Sequence, residues 1–314
     1  MNPVSLSFCV VASCAVSTIL TAARAEGSKD NSQGGPSPAT FCRFVPERMD
    51  DFAWENDLVA FRAYGPAIAK NQGAENSGVD CWLKRVKYPI IDRWYLGKNY
   101  HMDTGEGNDP YHVGSSRGCG GTAIWKYGKM VTSGVFKEWK IISQSPDKSV
   151  FGLSYQYVMD DRVILEVKQI TIELGKRLFK SESTFTENGK PAKLDIAIGL
   201  TTHDSKAPTT LNPERGWMSC WETIEGSGLG TGVVVDPLSL PEMFEISSGA
   251  KDQSHAVAVI HTDARGKTVH YAGYGWEKAG EIVSAEKWNR YLDSFWTQKK
   301  IWSGADSKGD HSIP

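Results

Sequence analysis

The sequence predicts a mainly β protein built as a large antiparallel β-sandwich, and three observations carry that prediction. First, segments rich in β-branched and aromatic residues follow one another at hairpin spacing across 134–203. Second, turn residues stand between them: Asp160-Asp161, and then Asn188-Gly189, the strongest short hairpin signal. Third, one stretch near the C-terminus, after Ser284, has clear helical periodicity.

Taken in order, residues 58–64 alternate between apolar and small or polar positions, as a half-buried strand does. Strands are then expected over 134–143, 149–159, 163–174, 178–187 and 194–203, and again over 217–224, 232–235, 255–263 and 268–276. Arg265-Gly266 is the turn between the last two. Val163, Leu165, Val167, Ile170, Ile172 and Leu174 form a period-two row with one slip, which predicts a bulge. In the helix, Ser284 is the cap, and Trp288, Tyr291, Leu292, Phe295 and Trp296 share one face at three- and four-residue spacing, suited to packing on a sheet. No repeat of about forty residues marks a propeller, so a sandwich is the better solution for so many strands.

The chain has 314 residues, enough for one large core, with 40% hydrophobic and 23% charged residues. A net charge of -2 gives no basic excess and no reason to expect a nucleic-acid partner. There are 11 Trp, whose flat faces suit sugar rings, although packing in a core is their ordinary use. Residues 1–25 read as a signal peptide ending in Ala23-Arg24-Ala25. A lipoprotein box at Val11-Ala12-Ser13-Cys14 is the alternative, tethering the chain through Cys14. Residues 26–40 read as a flexible leader, 41–302 as a single sandwich domain and 303–314 as a loose tail. No other stretch is long and apolar enough to span a bilayer, so the mature chain is expected outside the cytoplasm, periplasmic or secreted. Cys42, Cys81, Cys119 and Cys220 remain after cleavage and allow three disulfide pairings. Without a CxxC pair, a thiolate zinc site has no support.

Chemistry concentrates in residues 99–121, NYHMDTGEGNDPYHVGSSRGCGG. Loops of this length dense in His, Asp, Tyr and Arg are often functional. Three chemistries fit. Elimination on a uronate needs a base and a cation for the carboxylate: His112 or Tyr111 supplies the first, and Arg117 or Arg85 the second, with His101 in the same loop. Hydrolysis needs two carboxylates, drawn from Asp103, Glu106 and Glu222. Metal binding draws on His101, Asp103 and Glu106, where carboxylates favour calcium and imidazole zinc; no cofactor is otherwise called for. The catalytic candidates are therefore His101, Tyr111, His112 and Arg117. The substrate-binding candidates are Arg62, Trp82, Arg85, Trp94, Asp103, Glu106 and Trp276, with a polysaccharide or oligosaccharide as partner. The ordinary alternative is that Asp, Gly and Arg in such a loop only make its turns. Outside it, Trp54-Glu55-Asn56-Asp57 reads as a cap and turn, and Arg62 needs a partner if it faces inward. In 217–222, WMSCWE, Trp217, Ser219 and Trp221 fall on one sheet face and Met218, Cys220 and Glu222 on the other. His203 ends a strand where a cleft can open. Gly226-Ser227-Gly228-Leu229-Gly230 lacks the context of a phosphate loop, and no GxSxG is present.

Four blocks in order, PERMDDFAWENDLVAFRAYGP (46–66), DCWLKRVKYPIIDRWY (80–95), YHMDTGEGNDPYHVGSSRGCGG (100–121) and HYAGYGWEKAGEI (270–282), resemble the domain of unknown function 4861 family. The resemblance runs from about Arg43 to Phe295. It implies export, a galactose-mutarotase-like β-supersandwich, and association with polysaccharide degradation beside unsaturated glycuronyl hydrolases. It carries no catalytic residues over. The expected function is an exported carbohydrate-active enzyme, a lyase or related enzyme on uronic-acid-containing glycans. A glycoside hydrolase or sugar epimerase on the same fold, and a non-catalytic glycan-binding protein, are the alternatives.

Overall fold

Alternating apolar residues pair into three antiparallel sheets in a computed structural model, which describes residues 36–68, 76–97, 99–240 and 242–298. The signal-peptide and tail segments lie outside those residues. The first sheet runs in chain order: β1 (Phe41–Val45), β2 (Asp51–Glu55), β3 (Ala60–Ala63), β4 (Val79–Lys84) and β5 (Gly107–Asn108). The second has the order β17 (Glu242–Ile246), β18 (His255–His261), β13 (Asp195–Thr201), β6 (Cys119–Lys126) and β7 (Lys129–Val131). The third has nine strands. Its path is β14 (Thr209–Asn212), β15 (Trp217–Ile224), β16 (Ser227–Val235), β19 (Lys267–Trp276), β11 (Leu178–Glu187), β10 (Arg162–Glu173), β9 (Lys148–Met159) and β8 (Glu138–Gln144), with β12 (Lys190–Pro191) paired to β11.

The two smaller sheets cover one face of the large one. Their Phe52, Trp54, Phe61, Ile124 and Ile198 share a core with Phe151, Ile170, Phe179, Val233 and Tyr274 of the large sheet. Phe52 stacks on Phe151 at 4.4 Å between centroids, and Phe61 meets Phe179 edge-on at 5.0 Å. A parallel bridge, Val79 to Gly118, stitches the smaller sheets together. The opposite face carries α2 (Ala285–Gln298), whose Trp288, Leu292 and Phe295 pack on Trp217, Val234 and Tyr271. The absence of a side chain at Gly230 permits this approach: a Cβ there would lie 2.6 Å from the Trp288 ring. The expected sandwich with its C-terminal helix is thus the observed architecture, and the WMSCWE strand splits its faces as read.

Several details differ. No bulge interrupts β10, which pairs with β9 in continuous register from Arg162–Met159 to Glu173–Lys148. The slip instead marks apolar residues on opposite faces. Val163, Leu165 and Val167 point to solvent at 44%, 49% and 56% exposure, while Ile164, Ile170 and Ile172 point inward. The inward positions between them hold Glu166 and Lys168, buried 3.5 Å apart and bonded to Tyr157, Ser183 and Thr122. A short helix, α1 (Ile91–Gly97), was not expected; the buried Glu55 carboxylate caps it by accepting from the Ile90 and Ile91 N–H groups at 2.8 and 2.9 Å. The four cysteines are all buried and free, so none of the three pairings forms. Replacing Leu165 by Thr should change stability by only about 0.5 kcal/mol, whereas Ile164→Ala next to it should cost roughly 2–5 kcal/mol, measured by urea unfolding.

Candidate functional site

Arg62 organises the site. Pairing of β3 with β4 sets it opposite Asp80, and Asp80 and Trp82 share one face of β4. Its Nε and Nη2 donate to Asp80 Oδ2 at 2.9 and 2.5 Å, and Nη2 also to Asp109 Oδ2 at 3.0 Å. Asp51 Oδ2 lies 3.8 Å from Nη1. The guanidinium stands over the rings of Tyr64 and Trp82 at 5.2 Å and Tyr100 at 5.9 Å. Three buried carboxylates thus meet one fully enclosed cation. Burial pushes all three carboxyls above the usual carboxylate range, Asp51 to about 6 and Asp109 furthest, with the neighbouring Asp80 charge adding to the rise at Asp109. Burial alone would pull Arg62 down, but Asp80 and Asp109 more than offset it and hold it charged.

Next to this cluster opens a cleft of about 450 Å³. Its wall includes Arg48, Arg62, Tyr64, Asn76, His101, Asp109, Tyr111 and His112. Three buried polar atoms of that wall, Arg48 Nη1, Arg62 Nη1 and Tyr111 Oη, have no hydrogen-bond partner among the described residues. All three can donate, so the cleft suits a ligand that accepts. Arg48 is steered by its Nε, which donates to Tyr100 Oη at 2.9 Å. Burial, and after it the nearby thiols of Cys81 and Cys119, raise Tyr111 well above the ordinary phenol value, so it keeps its proton.

Two imidazoles face the opening. His101 Nδ1 lies 3.2 Å from the Asp109 carbonyl oxygen, which only accepts, so Nδ1 carries the hydrogen and Nε2 is basic. His112 Nε2 lies 3.0 Å from Asp252 Oδ1, so there Nε2 carries the hydrogen and Nδ1 is basic. Asp252 Oδ2 also accepts from the Ser115 N–H at 3.2 Å, which fixes the carboxylate that orients the ring. Behind this wall, Tyr111 packs edge-on against His203, whose Nε2 reaches the His112 carbonyl oxygen at 2.7 Å.

The cleft brings together His101, Tyr111, His112 and Arg62 of the residues singled out in the sequence. It does not bring in Arg117, which is enclosed between the sheets and donates to Ser77 Oγ at 2.8 Å, Asn76 Oδ1 at 2.9 Å and the Thr122 carbonyl at 3.3 Å. Arg85 is held by Asp103 at 2.7 Å and by the Gly105 carbonyl at 2.9 Å, which stabilises the loop. Glu106 accepts from Tyr88 Oη, Arg93 and Trp94 Nε1, and lies with Trp94 on a separate hollow. With those carboxylates so engaged, His101, Asp103 and Glu106 do not converge; among the described residues no three such side chains gather to hold a metal ion. Trp82, Trp94 and Trp276 are 0%, 6% and 2% exposed, so they are packing residues and offer no open platform to a sugar. Arg48, Tyr64 and Asp252 were missed. Arg48 and Tyr64 flank Arg62 in the first family-like block, and Tyr64 shares its strand phase; Asp252, 140 residues from His112, had no signal.

A mainly antiparallel β-sandwich with a cleft between its first sheet and the loop that follows β5 is the class of protein defined here. The chain belongs to the family described as "Domain of unknown function (DUF4861)", which it matches over residues 15–300. It is similar to "Uncharacterized protein P7" of Formosa agariphila, 35% identical over 268 residues that make up 81% of this chain and 66% of that protein. It thus spans about two thirds of that relative's length.

The buried Asp51 gives a pH-dependent stability. Its carboxyl holds a proton more tightly folded than unfolded, so its contribution is present below the ordinary 3.8 and is lost as pH rises to about 6. The wild type should lose up to about 3 kcal/mol through this window from this group, and Asp51→Asn should flatten that part of the profile in denaturant titrations at successive pH values.

Proposed function

We propose that this chain is an exported enzyme that cleaves uronic-acid-containing glycans by elimination in the Arg48–His112 cleft. The observation that carries the reading is the pair of guanidinium groups, Arg48 Nη1 and Arg62 Nη1, that have no hydrogen-bond partner among the described residues, beside an imidazole held by a carboxylate. A sugar carboxylate accepts from Arg48 Nη1 and Arg62 Nη1, which stabilise the charge that develops when the neighbouring carbon loses its proton. His112 Nδ1 takes that proton, and Asp252 stabilises the imidazolium formed. The C–H electron pair becomes the new C=C bond, the glycosidic C–O bond breaks, and the leaving oxygen receives a proton from the His112 imidazolium, which restores the base. The signal-peptide pattern of residues 1–25 and the family's expected association with polysaccharide breakdown support an extracytoplasmic glycan as substrate.

One observation favours a second reading. Asp109 lines the same cleft, and burial raises its carboxyl above the usual carboxylate range, which suits it to protonate a leaving group in hydrolysis.

Incubation with a panel of pectic and other uronate polysaccharides tests both. Elimination predicts rising ultraviolet absorbance from the unsaturated sugar, reduced about 10²–10⁴-fold in His112→Ala and sharply in Arg48→Ala. New reducing ends without that absorbance, lost in Asp109→Asn, would establish hydrolysis instead. Folded protein that yields neither product on the panel would count against both.

A further inference from the structure

His203 stands behind the cleft and makes two hydrogen bonds that together leave it two arrangements of its protons. Its Nδ1 lies 2.8 and 2.7 Å from the Glu222 carboxylate oxygens, and its Nε2 lies 2.7 Å from the His112 carbonyl oxygen. A carbonyl oxygen only accepts, so Nε2 carries a hydrogen. A carboxylate only accepts, so Nδ1 carries one as well. A ring that donates from both nitrogens is an imidazolium. The other way to satisfy both bonds moves one proton to Glu222 and leaves a neutral pair. The side chains are 13% and 8% exposed, so the pair is largely removed from water.

We propose that His203 is a charged positioning residue, an imidazolium that clamps the Tyr111–His112 wall of the cleft to Glu222 on β15. The groups that face it are Glu222 from β15, the Tyr111 phenol and the His112 carbonyl from the loop, and Asp252 from the segment between β17 and β18. None of these four groups carries a positive charge, and two are carboxylates, so the surroundings favour a cation. Burial by itself would lower the pKa of His203, but Glu222 outweighs it and leaves the group above its ordinary value. The backbone supports the same role. His203, Asp204 and Ser205 occupy the left-handed region in succession, at φ 46°, 58° and 67°. Such a run in residues other than glycine persists only where surrounding contacts hold it. The turn is held by Thr201 Oγ1, which accepts from the His203 N–H, and by Thr202 Oγ1, which accepts from the Ser205 N–H, both at 3.2 Å. The turn aims the ring, and the ring fixes the carbonyl of the residue that bears the base.

The consequence for catalysis rests on the elimination reading; the charge and the clamp do not. Nitrogen NMR of the ¹⁵N-histidine-labelled protein reads the protonation directly. Two protonated ring nitrogens at pH 7 are expected for His203; one unprotonated nitrogen would overturn the charge assignment. Raising the pH through the His203 midpoint should speed amide exchange at residues 111–116. Glu222→Gln should move the midpoint down by about one unit or more and cause that loss of protection at neutral pH. A midpoint unchanged in Glu222→Gln, or protection at 111–116 indifferent to pH and to that substitution in the folded protein, would overturn the clamp. Neither readout needs a substrate, so failure of elimination and failure of the clamp are separate results.

Discussion

The guanidinium of Arg62 ties together side chains from four pieces of chain in and beside the first sheet. It lies on β3, takes Asp80 from β4, approaches Asp51 at the start of β2, and catches Asp109 from the segment after β5. Removing such a cation would leave buried carboxylates unpaired, the arrangement that costs most in a protein interior. Three acids around one cation cannot all be ionised without a further penalty. Burial moves each carboxyl titration upward, and at Asp109 the neighbouring Asp80 charge adds to the rise. The ion cluster therefore places an acid with a raised titration on the cleft wall.

The same geometry sets the polarity of the cleft. Arg62 spends Nε and Nη2 on its carboxylates and leaves Nη1 without a hydrogen-bond partner. Arg48 spends Nε on Tyr100, a ring that also lies beside the Arg62 guanidinium, and keeps Nη1 in reserve. Each arginine is thus anchored by one edge and offers the other. That arrangement fixes direction without neutralising the donor, which is what recognition of a planar anion requires. Arg117 shows the opposite case. Its donors are spread over oxygens of Ser77, Asn76 and Thr122, so it serves the interior although it lies in the loop richest in chemistry.

The sandwich was legible because its strands alternate and its turns carry Asn-Gly, Asp-Asp and Arg-Gly. The β10 row misled because period two identifies a strand but not which face is buried. Val163, Leu165 and Val167 look like a core row, yet the inward phase belongs to Glu166 and Lys168, whose charges are met by partners from β6, β9 and β11 that no local window contains. The site was half legible for the same reason. His101, Tyr111 and His112 come from one dense loop, and their proximity is sequential. Asp252 and His203 join them only through pairings more than ninety residues apart, with Glu222 following through His203, and Trp82 and Trp94 were read as ligand-facing because tryptophan content says nothing about exposure.

What distinguishes His112 from His101 is that side chains hold it at both its ring and its carbonyl. Asp252 takes its ring hydrogen, and His203 takes its backbone carbonyl, with Glu222 behind. His101 Nδ1 meets only a main-chain carbonyl, and its own carbonyl is reached by Asn108 Nδ2 at the long distance of 3.5 Å. A base must have both its tautomer and its position fixed before the substrate arrives, since a shift of about 1 Å in a reacting group can cost two orders of magnitude in rate. The left-handed turn at 203–205, which is unfavourable for His and Ser, stands where it completes the second of these holds. Local strain beside a doubly fixed imidazole is the arrangement expected where backbone energy is given up to place a reacting group.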